Sequence, residues 1–191
     1  MLIQFTNQPV PWDPCWPRYC PDRNFPPYRY IPGKAPHPIR HPQGHSYQQA
    51  EPTPNQRYSA KRWAENSEYL YGIDLFNFSY WWEAHEAWET DWRWATNDHK
   101  MFLQGLIQIS AAMIKRHLEQ LRGVRNLSQA GRRKLRLVWQ SNRNYMGIDL
   151  SDLLDRLDTF FQPMEGQTKD KFTVVAVSPL IWLDYPKNDL R

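Results

Sequence analysis

The sequence predicts an all-α fold, a compact bundle of about five helices with a proline-rich extended N-terminal arm and a short extended C-terminal tail. Thirteen of the 16 prolines lie in residues 1–54, so the rest of the chain has few residues that break helices. Apolar residues recur with helical periodicity from about residue 59 to residue 161. The longest apolar runs are far shorter than a membrane span, which predicts a soluble protein.

The chain divides into three parts by composition. Residues 1–58 form a proline- and aromatic-rich arm, and we expect it to pack on the body because disordered linkers lack such aromatics. Residues 59–162 form the helical-bundle domain. Residues 163–191 form an extended tail that contains the β-prone run FTVVAV. Ten Trp occur in the chain, and six of them lie between Trp63 and Trp94.

The first two helices follow from capping and periodicity. The first is expected from about Ser59, as its N-cap, to about Ile73, and DLFNF is expected to form a turn. The second is expected from about Ser79 to Ala95. Its apolar residues fall on one stripe, which predicts the core face, and the members of this stripe are Trp81, Ala84, Trp88, Trp92 and Ala95.

The remaining helices follow from the same periodicity. The third, about Asp98 to Leu121, is apolar over more than half its circumference, which indicates a central position in the bundle. The fourth, about Asn126 to Gln140, is expected to turn Leu127, Ala130, Leu137 and Val138 inwards. YMGID predicts a turn, and a fifth helix begins near Ser151 with its apolar side formed by Leu153, Leu154, Leu157 and Phe160.

The run FNFSYWWEAHEAWETDW, followed by FLQGLIQISAAM, resembles the helical family known as domain of unknown function 309. Its hallmarks are an EAHExxExxW helix and an LQGxIQ helix. The matching positions are Glu83, Ala84, His85, Glu86, Glu89 and Trp92, then Leu103, Gln104, Gly105, Ile107 and Gln108. The Pro- and His-rich segment PPYRYIPGKAPHPIRHPQGHSY is similar to an extension found in a subset of the family. The resemblance implies a small helical bundle and no activity, because none is assigned to the family.

One polar cluster is expected at the edge of the core. His85 and Glu89 are one turn apart beside the Trp stripe, and Gln104 and Gln108 are one turn apart on the next helix. If these edges face each other, the four residues and Glu86 line a semi-buried polar pocket. Such a network either fixes the register of the helices or binds a ligand. Glu83 is expected to point most nearly to solvent.

A metal site is the alternative interpretation of the same helix. HEAWE differs from the zinc-protease motif HExxH in its last residue, so His85 and Glu89 would be ligands and Glu86 a base. The third ligand would come from the arm, as His37 or His45. The sequence predicts no cofactor, and a divalent metal belongs only to this alternative.

The charges of the chain are segregated. Residues 64–98 contain eight acids against Arg93, whereas residues 115–143 contain nine Lys and Arg against Glu119. Arg132, Arg133 and Arg136 are expected to form one exposed patch that suits phosphate groups. Nothing in the sequence predicts base readout, so a nucleic-acid partner is not expected.

Taken together, these patterns favour a helical binding or scaffold protein over an enzyme. The alternatives are a metal-assisted hydrolase that uses His85, Glu86 and Glu89, and weak binding of RNA or another polyanion by the fourth helix. A small molecule or a protein is the expected class of partner, and no membrane is involved. Cys15 and Cys20 are expected to be reduced thiols, and the absence of a recognisable leader predicts a cytoplasmic location.

Overall fold

The structure is a computed structural model that describes residues 13, 15–49, 57–165 and 178–184. The run FTVVAV of the tail lies outside the described residues. The elements, in chain order, are a 3-10 helix Ala60–Glu65, α1 Ser67–Asn77, α2 Trp81–Trp92, α3 Asn97–His117, α4 Leu121–Ser141, β1 Asn144–Tyr145, β2 Ile148–Asp149 and α5 Leu150–Glu165. The protein is mostly helical, which confirms the predicted all-α class.

The start of the bundle differs from the sequence prediction. Asn66 has an extended backbone and divides the expected first helix into the 3-10 helix and α1. Its side-chain oxygen accepts the backbone N–H of Tyr69 at 3.1 Å, so it is an N-cap. The turn expected at DLFNF is also wrong, because α1 runs to Asn77. The chain reverses instead at Ser79, whose φ is 66°.

The Trp stripe of α2 is the core face, as predicted, and Trp88 lies at its centre. The Trp88 side chain is fully buried, and its indole N–H donates to the backbone carbonyl of Tyr69 at 3.3 Å. A Cβ on Gly72 would lie 2.2 Å from the indole nitrogen, so glycine lets α1 approach this ring. Trp92 is only half-buried, at the end of the stripe.

Helix α3 lies at the centre of the bundle, as its apolar circumference predicts. It crosses α4 where Gly105 and Gly131 meet, and a Cβ on Gly131 would lie 3.0 Å from the Gly105 carbonyl oxygen. Helix α4 begins at Leu121, earlier than expected, after a turn at Glu119 with a φ of 55°. The prediction that Leu137 faces inwards is wrong, because it is 45% exposed.

The segment between α4 and α5 is a two-stranded antiparallel hairpin. Asn144 pairs with Asp149, and Met146 and Gly147 both have a positive φ at the turn, as two-residue hairpin turns require. Helix α5 then follows directly, and its predicted apolar residues are all buried. Part of the tail covers this end of the core. The backbone N–H and carbonyl of Ile181 each form a hydrogen bond of 2.8 Å with the side-chain amide of Asn77.

Residues 15–49 of the arm contain neither helix nor strand, and they pack on α1 and α2. Asp74, which is fully buried on α1, accepts the backbone N–H groups of Tyr19 and Cys20 and the Nε–H of Arg18 at 2.8–2.9 Å. The ring of Phe25 stacks on the ring of Tyr80, a buried residue between α1 and α2. The arm has no helix or strand in which these backbone N–H groups could find partners. The buried Asp74 carboxylate accepts their hydrogen bonds instead.

In the part of the chain that the structure describes, no helix has the length and apolar character needed to cross a membrane. Cys15 is exposed, Cys20 is partly buried, and both are free thiols.

Candidate functional site

Helix α2 carries polar residues on two different sides of its buried Trp stripe. His85 and Glu89 lie on one flank, and Glu83, Glu86 and Thr90 lie on the outer side that faces the arm. At 100° per residue, Glu83 and His85 point in clearly different directions. The helix therefore presents two candidate sites.

On the first flank, His85 and Glu89 form the pair that the sequence predicts. The Nε2 atom of His85 lies 3.1 Å from Oε1 of Glu89, and its Nδ1 atom lies 3.6 Å from Oε1 of Glu86. Burial lowers the pKa of His85, against the opposing effect of the Glu89 carboxylate. Burial thus favours a neutral imidazole whose orientation Glu89 fixes.

Of the two glutamines expected in this cluster, Gln108 has a hydrogen-bond partner on α4. Gln104 and Gln108 are both half-buried on α3. The Oε1 atom of Gln108 accepts a hydrogen bond of 3.1 Å from Nζ of Lys134 on α4. Gln108 is therefore oriented by α4, and the contact that the structure shows within the predicted pocket is the half-buried pair of His85 and Glu89.

The two arm histidines expected near His85 contact other residues. His45 uses Nε2 to contact Glu83 at 3.2 Å and Nδ1 to contact Ser46 at 2.9 Å. His37 packs against the ring of Trp82, with 5.5 Å between ring centroids. The expectation that His37 or His45 joins His85 and Glu89 as a metal ligand is therefore wrong. Within the described ranges, no three His, Cys, Asp or Glu side chains form a group that could hold a metal ion.

The second site is a cavity of about 460 Å³ between the arm and the outer face of α2, which we call the arm cavity. Its apolar wall includes Phe25, Pro26, Tyr71, Leu75, Trp82 and Ala87. Its polar wall includes Arg23, His45, Glu68, Glu83, Glu86 and Arg93. Sites for small organic molecules have this size, and they combine an apolar lining with a few placed polar groups.

Glu83 is the buried acid of the arm cavity, and the expectation that it points to solvent is wrong. It is 6% exposed because the arm covers it. Its Oε1 atom accepts the backbone N–H of Tyr30 at 2.8 Å and contacts His45. Its Oε2 atom is buried and has no hydrogen-bond partner among the residues that the structure describes. A buried carboxylate oxygen without a donor costs free energy.

The groups around Glu83 are held in place by the arm. The hydroxyl of Tyr28 donates to the Pro36 carbonyl at 2.8 Å and accepts the backbone N–H of His45 at 3.3 Å. Arg23 is bonded to Glu68 at 2.6 Å and lies 3.8 Å above the ring of Tyr71. Arg23 and His45 of the cavity wall are therefore both held by contacts within the protein.

Sequence reasoning missed the arm cavity because the helical period of α2 places Glu83 opposite the core. The one signal in the sequence was the recurrence of aromatic residues through the arm, which predicts packing but does not say on which face. Of the predicted site residues, Glu86 and His45 line this cavity.

The predicted anion patch is smaller than expected. Arg132 is 3% exposed, and its guanidinium bonds to Asp158 at 2.6 Å and to Glu165, both on α5. Arg136 also pairs with Asp158 at 2.6 Å, although it remains exposed. The exposure predicted for Arg132 is therefore wrong, and the acids of α5 offset the positive charge of this surface.

Residues 69–127 match the family model described as Domain of unknown function (DUF309). The matched segment runs from α1 into the first turns of α4 and contains both the EAHExxExxW and the LQGxIQ motifs. No curated protein and no solved structure matches the chain. The resemblance to the family of domain of unknown function 309 is thus confirmed over residues 69–127.

Proposed function

We propose that the protein is a binding protein without catalytic activity and that its ligand is a small molecule held in the arm cavity. The observation that carries this proposal is the cavity itself, about 460 Å³ in volume and lined by aromatic rings together with carboxylate and guanidinium groups. The site includes Glu86, one of the residues expected from the sequence, but it is centred on Glu83 and not on His85.

Catalysis is the less favoured function for a specific reason. The pair of His85 and Glu89 has the geometry of a general base and its orienting carboxylate. A hydrolase of the expected kind also needs a third metal ligand, and the arm histidines that would provide one are engaged with Glu83 and Trp82.

Polyanion binding is supported weakly as well. A surface that binds nucleic acid depends on exposed Lys and Arg that release counterions. Two of the three arginines expected to form such a surface, Arg132 and Arg136, are bonded to carboxylates of α5. A cytoplasmic location remains part of the proposal, supported by the two free thiols.

A fragment screen by ligand-observed NMR tests the proposal. Ala87→Met places a larger side chain at the wall of the arm cavity, so fragments that bind the wild-type protein should lose binding. Ala111→Met is the matched control, because Ala111 lies one turn beyond Gln108 on α3 and outside the cavity. Circular dichroism checks that both variants are folded.

Three outcomes are distinguishable. Loss of binding in Ala87→Met alone supports the arm cavity. Loss in Ala111→Met alone would move the site to the cluster predicted around His85, Gln104 and Gln108. If no fragment binds the wild-type protein, the proposal of a small-molecule site fails.

A further inference from the structure

The arm contains two parts that pack very differently on the bundle. The first part, residues 16–31, contributes to the core, and we call it the anchor. The arm residues that lie in the core or pack against it are Trp16, Tyr19, Cys20, Phe25 and Ile31. None of them comes from residues 36–49, which the structure describes in full and which we call the lid. Separating the lid from the bundle therefore exposes less apolar surface than separating the anchor.

The lid is held together by contacts within its own segment. Three of its backbone N–H groups donate to backbone carbonyls of the lid at 2.8–3.1 Å, namely those of His41, Gly44 and Ser46. Pro38 is the one buried residue of the lid, and a Cβ on Gly44 would clash with its carbonyl oxygen. The two halves of the lid are therefore in close contact, and the segment can move as one body.

Two histidines of the lid contact α2 beside the arm cavity. His45 contacts Glu83 at 3.2 Å, and both side chains are buried there. The ring of His37 packs against the ring of Trp82. The lid also forms part of the cavity wall, through Ile39, His45, Ser46 and Gln49. A movement of the lid therefore opens and closes the arm cavity.

The joint between the anchor and the lid lies at Gly33. Ile31 before it is buried in the core, whereas Gly33 has a φ of 77°, and a Cβ there would meet no atom within 4 Å. Glycine adopts this φ without strain, and the open space lets the backbone turn. Tyr28 of the anchor fastens the closed lid, because its hydroxyl bonds to backbone groups of both Pro36 and His45.

We propose that residues 36–49 are a lid over the arm cavity, which opens about Gly33 as one unit while residues 16–31 stay on the bundle. Its role in admitting a ligand rests on the proposed function, but the movement itself does not. The anchor keeps its place because the buried carboxylate of Asp74 holds Tyr19 and Cys20 by their backbone N–H groups.

Backbone hydrogen exchange, measured by NMR on the full chain without added ligand, tests the movement. The three hydrogen-bonded amides of the lid should share one opening equilibrium. We expect their protection to be at least about 100-fold lower than that of the Tyr19 and Cys20 amides of the anchor. Equal protection in the lid and the anchor would mean that the arm does not open in two parts, and the lid would be overturned.

His45→Ala removes the contact with Glu83. It should speed the exchange of all three lid amides about tenfold by the same factor, and leave the anchor amides unchanged. His41→Ala is the matched control, because His41 is an exposed histidine of the same lid whose ring accepts the backbone N–H of Gln43. Equal effects of the two variants would contradict the assigned contact.

Tyr28→Phe is a second variant, which decides the question if His45→Ala does not fold. It removes the hydroxyl that fastens both ends of the lid and should also speed the exchange of all three lid amides. Tyr47→Phe, at an exposed tyrosine of the lid, is its control and should have no such effect. If Tyr28→Phe leaves the three amides unchanged or affects them by unrelated factors, the lid does not open as one unit.

The lid and the small-molecule site fail in different ways. If lid and anchor exchange together, the arm cavity has a fixed wall, and the lid is wrong while the small-molecule site stands. If the lid amides exchange as one unit but no fragment binds the protein, the lid is supported and the proposed function alone fails.

Discussion

Arg132 lies between α4 and α5, and its guanidinium is bonded to carboxylates at two separate positions of α5, those of Asp158 and Glu165. The side chain also lies near the Phe161 ring, with the guanidinium carbon 5.9 Å from the ring centroid. Burial alone would raise the pKa of Asp158, but its hydrogen bonds with Arg132 and Arg136 lower it in sum. This arginine therefore joins the last two helices of the bundle.

Removing Arg132 should destabilise the protein. We expect Arg132→Ala to lower the free energy of unfolding by about 3 kcal/mol, because a buried ion pair loses one partner. Arg133→Ala, at an exposed neighbour, should change it by less than about 0.5 kcal/mol. Urea unfolding measures both. Equal effects of the two variants would mean that the ion pairs with α5 do not contribute to stability.

At the scale of elements, the packing of α3 on α4 depends on two glycines. A Cβ on Gly131 would lie 2.9 Å from Cδ1 of Ile109 and 3.0 Å from the Gly105 carbonyl oxygen. The backbone atom cannot move without shifting α3, so the helices must separate. Gly123 is also on α4, but a Cβ there would meet only the flexible side chain of Lys115 at 3.0 Å or more.

Substitution by alanine should destabilise the protein at Gly131 but not at Gly123. Gly131→Ala should lower the free energy of unfolding by about 1–3 kcal/mol, because overpacking exceeds the gain in helix propensity. Gly123→Ala should be neutral or stabilising by up to about 1 kcal/mol. Thermal unfolding followed by circular dichroism measures both effects. A stabilising Gly131→Ala would show that the two helices are not in close contact at this point.

For the whole molecule, burial of titratable groups sets the response to acid. Burial lowers the pKa of His37, His85, His99 and His117 from the ordinary value of 6.5. As the pH falls, the unfolded chain therefore takes up these protons before the folded protein does. The corresponding stability is fully present above pH 6.5 and is lost as the pH falls through the lowered pKa values.

We therefore expect the free energy of unfolding to decrease between pH 7.5 and pH 5.5. His99→Gln should reduce this dependence, since burial alone lowers the pKa of His99. His41→Gln, at an exposed histidine, is the matched control. Urea titrations across this pH range measure the slope. An unchanged or increasing stability at lower pH would contradict the prediction.

The helices themselves were predictable, because their patterns are local. The Trp stripe of α2, the apolar circumference of α3 and the inward leucines of α5 all follow from a period of 3.6 residues. Some boundaries were not predictable. Asn66 divides the expected first helix because it is the N-cap of α1. Ser79 and Glu119 adopt a positive φ, which their residue types do not predict.

The candidate site was predictable only in part, since periodicity identifies the side of a helix that faces the core but not what covers the opposite side. By itself the sequence determined the fold class, the His85–Glu89 pair and the free thiols. Only the tertiary structure decided that the arm covers Glu83, that Gln108 turns to Lys134 and that Arg132 is buried against α5. The reason is physical. Hydrogen bonds and apolar repeats within a helix join residues a few positions apart, whereas these contacts join residues 26 to 53 positions apart, so they depend on how separate segments pack.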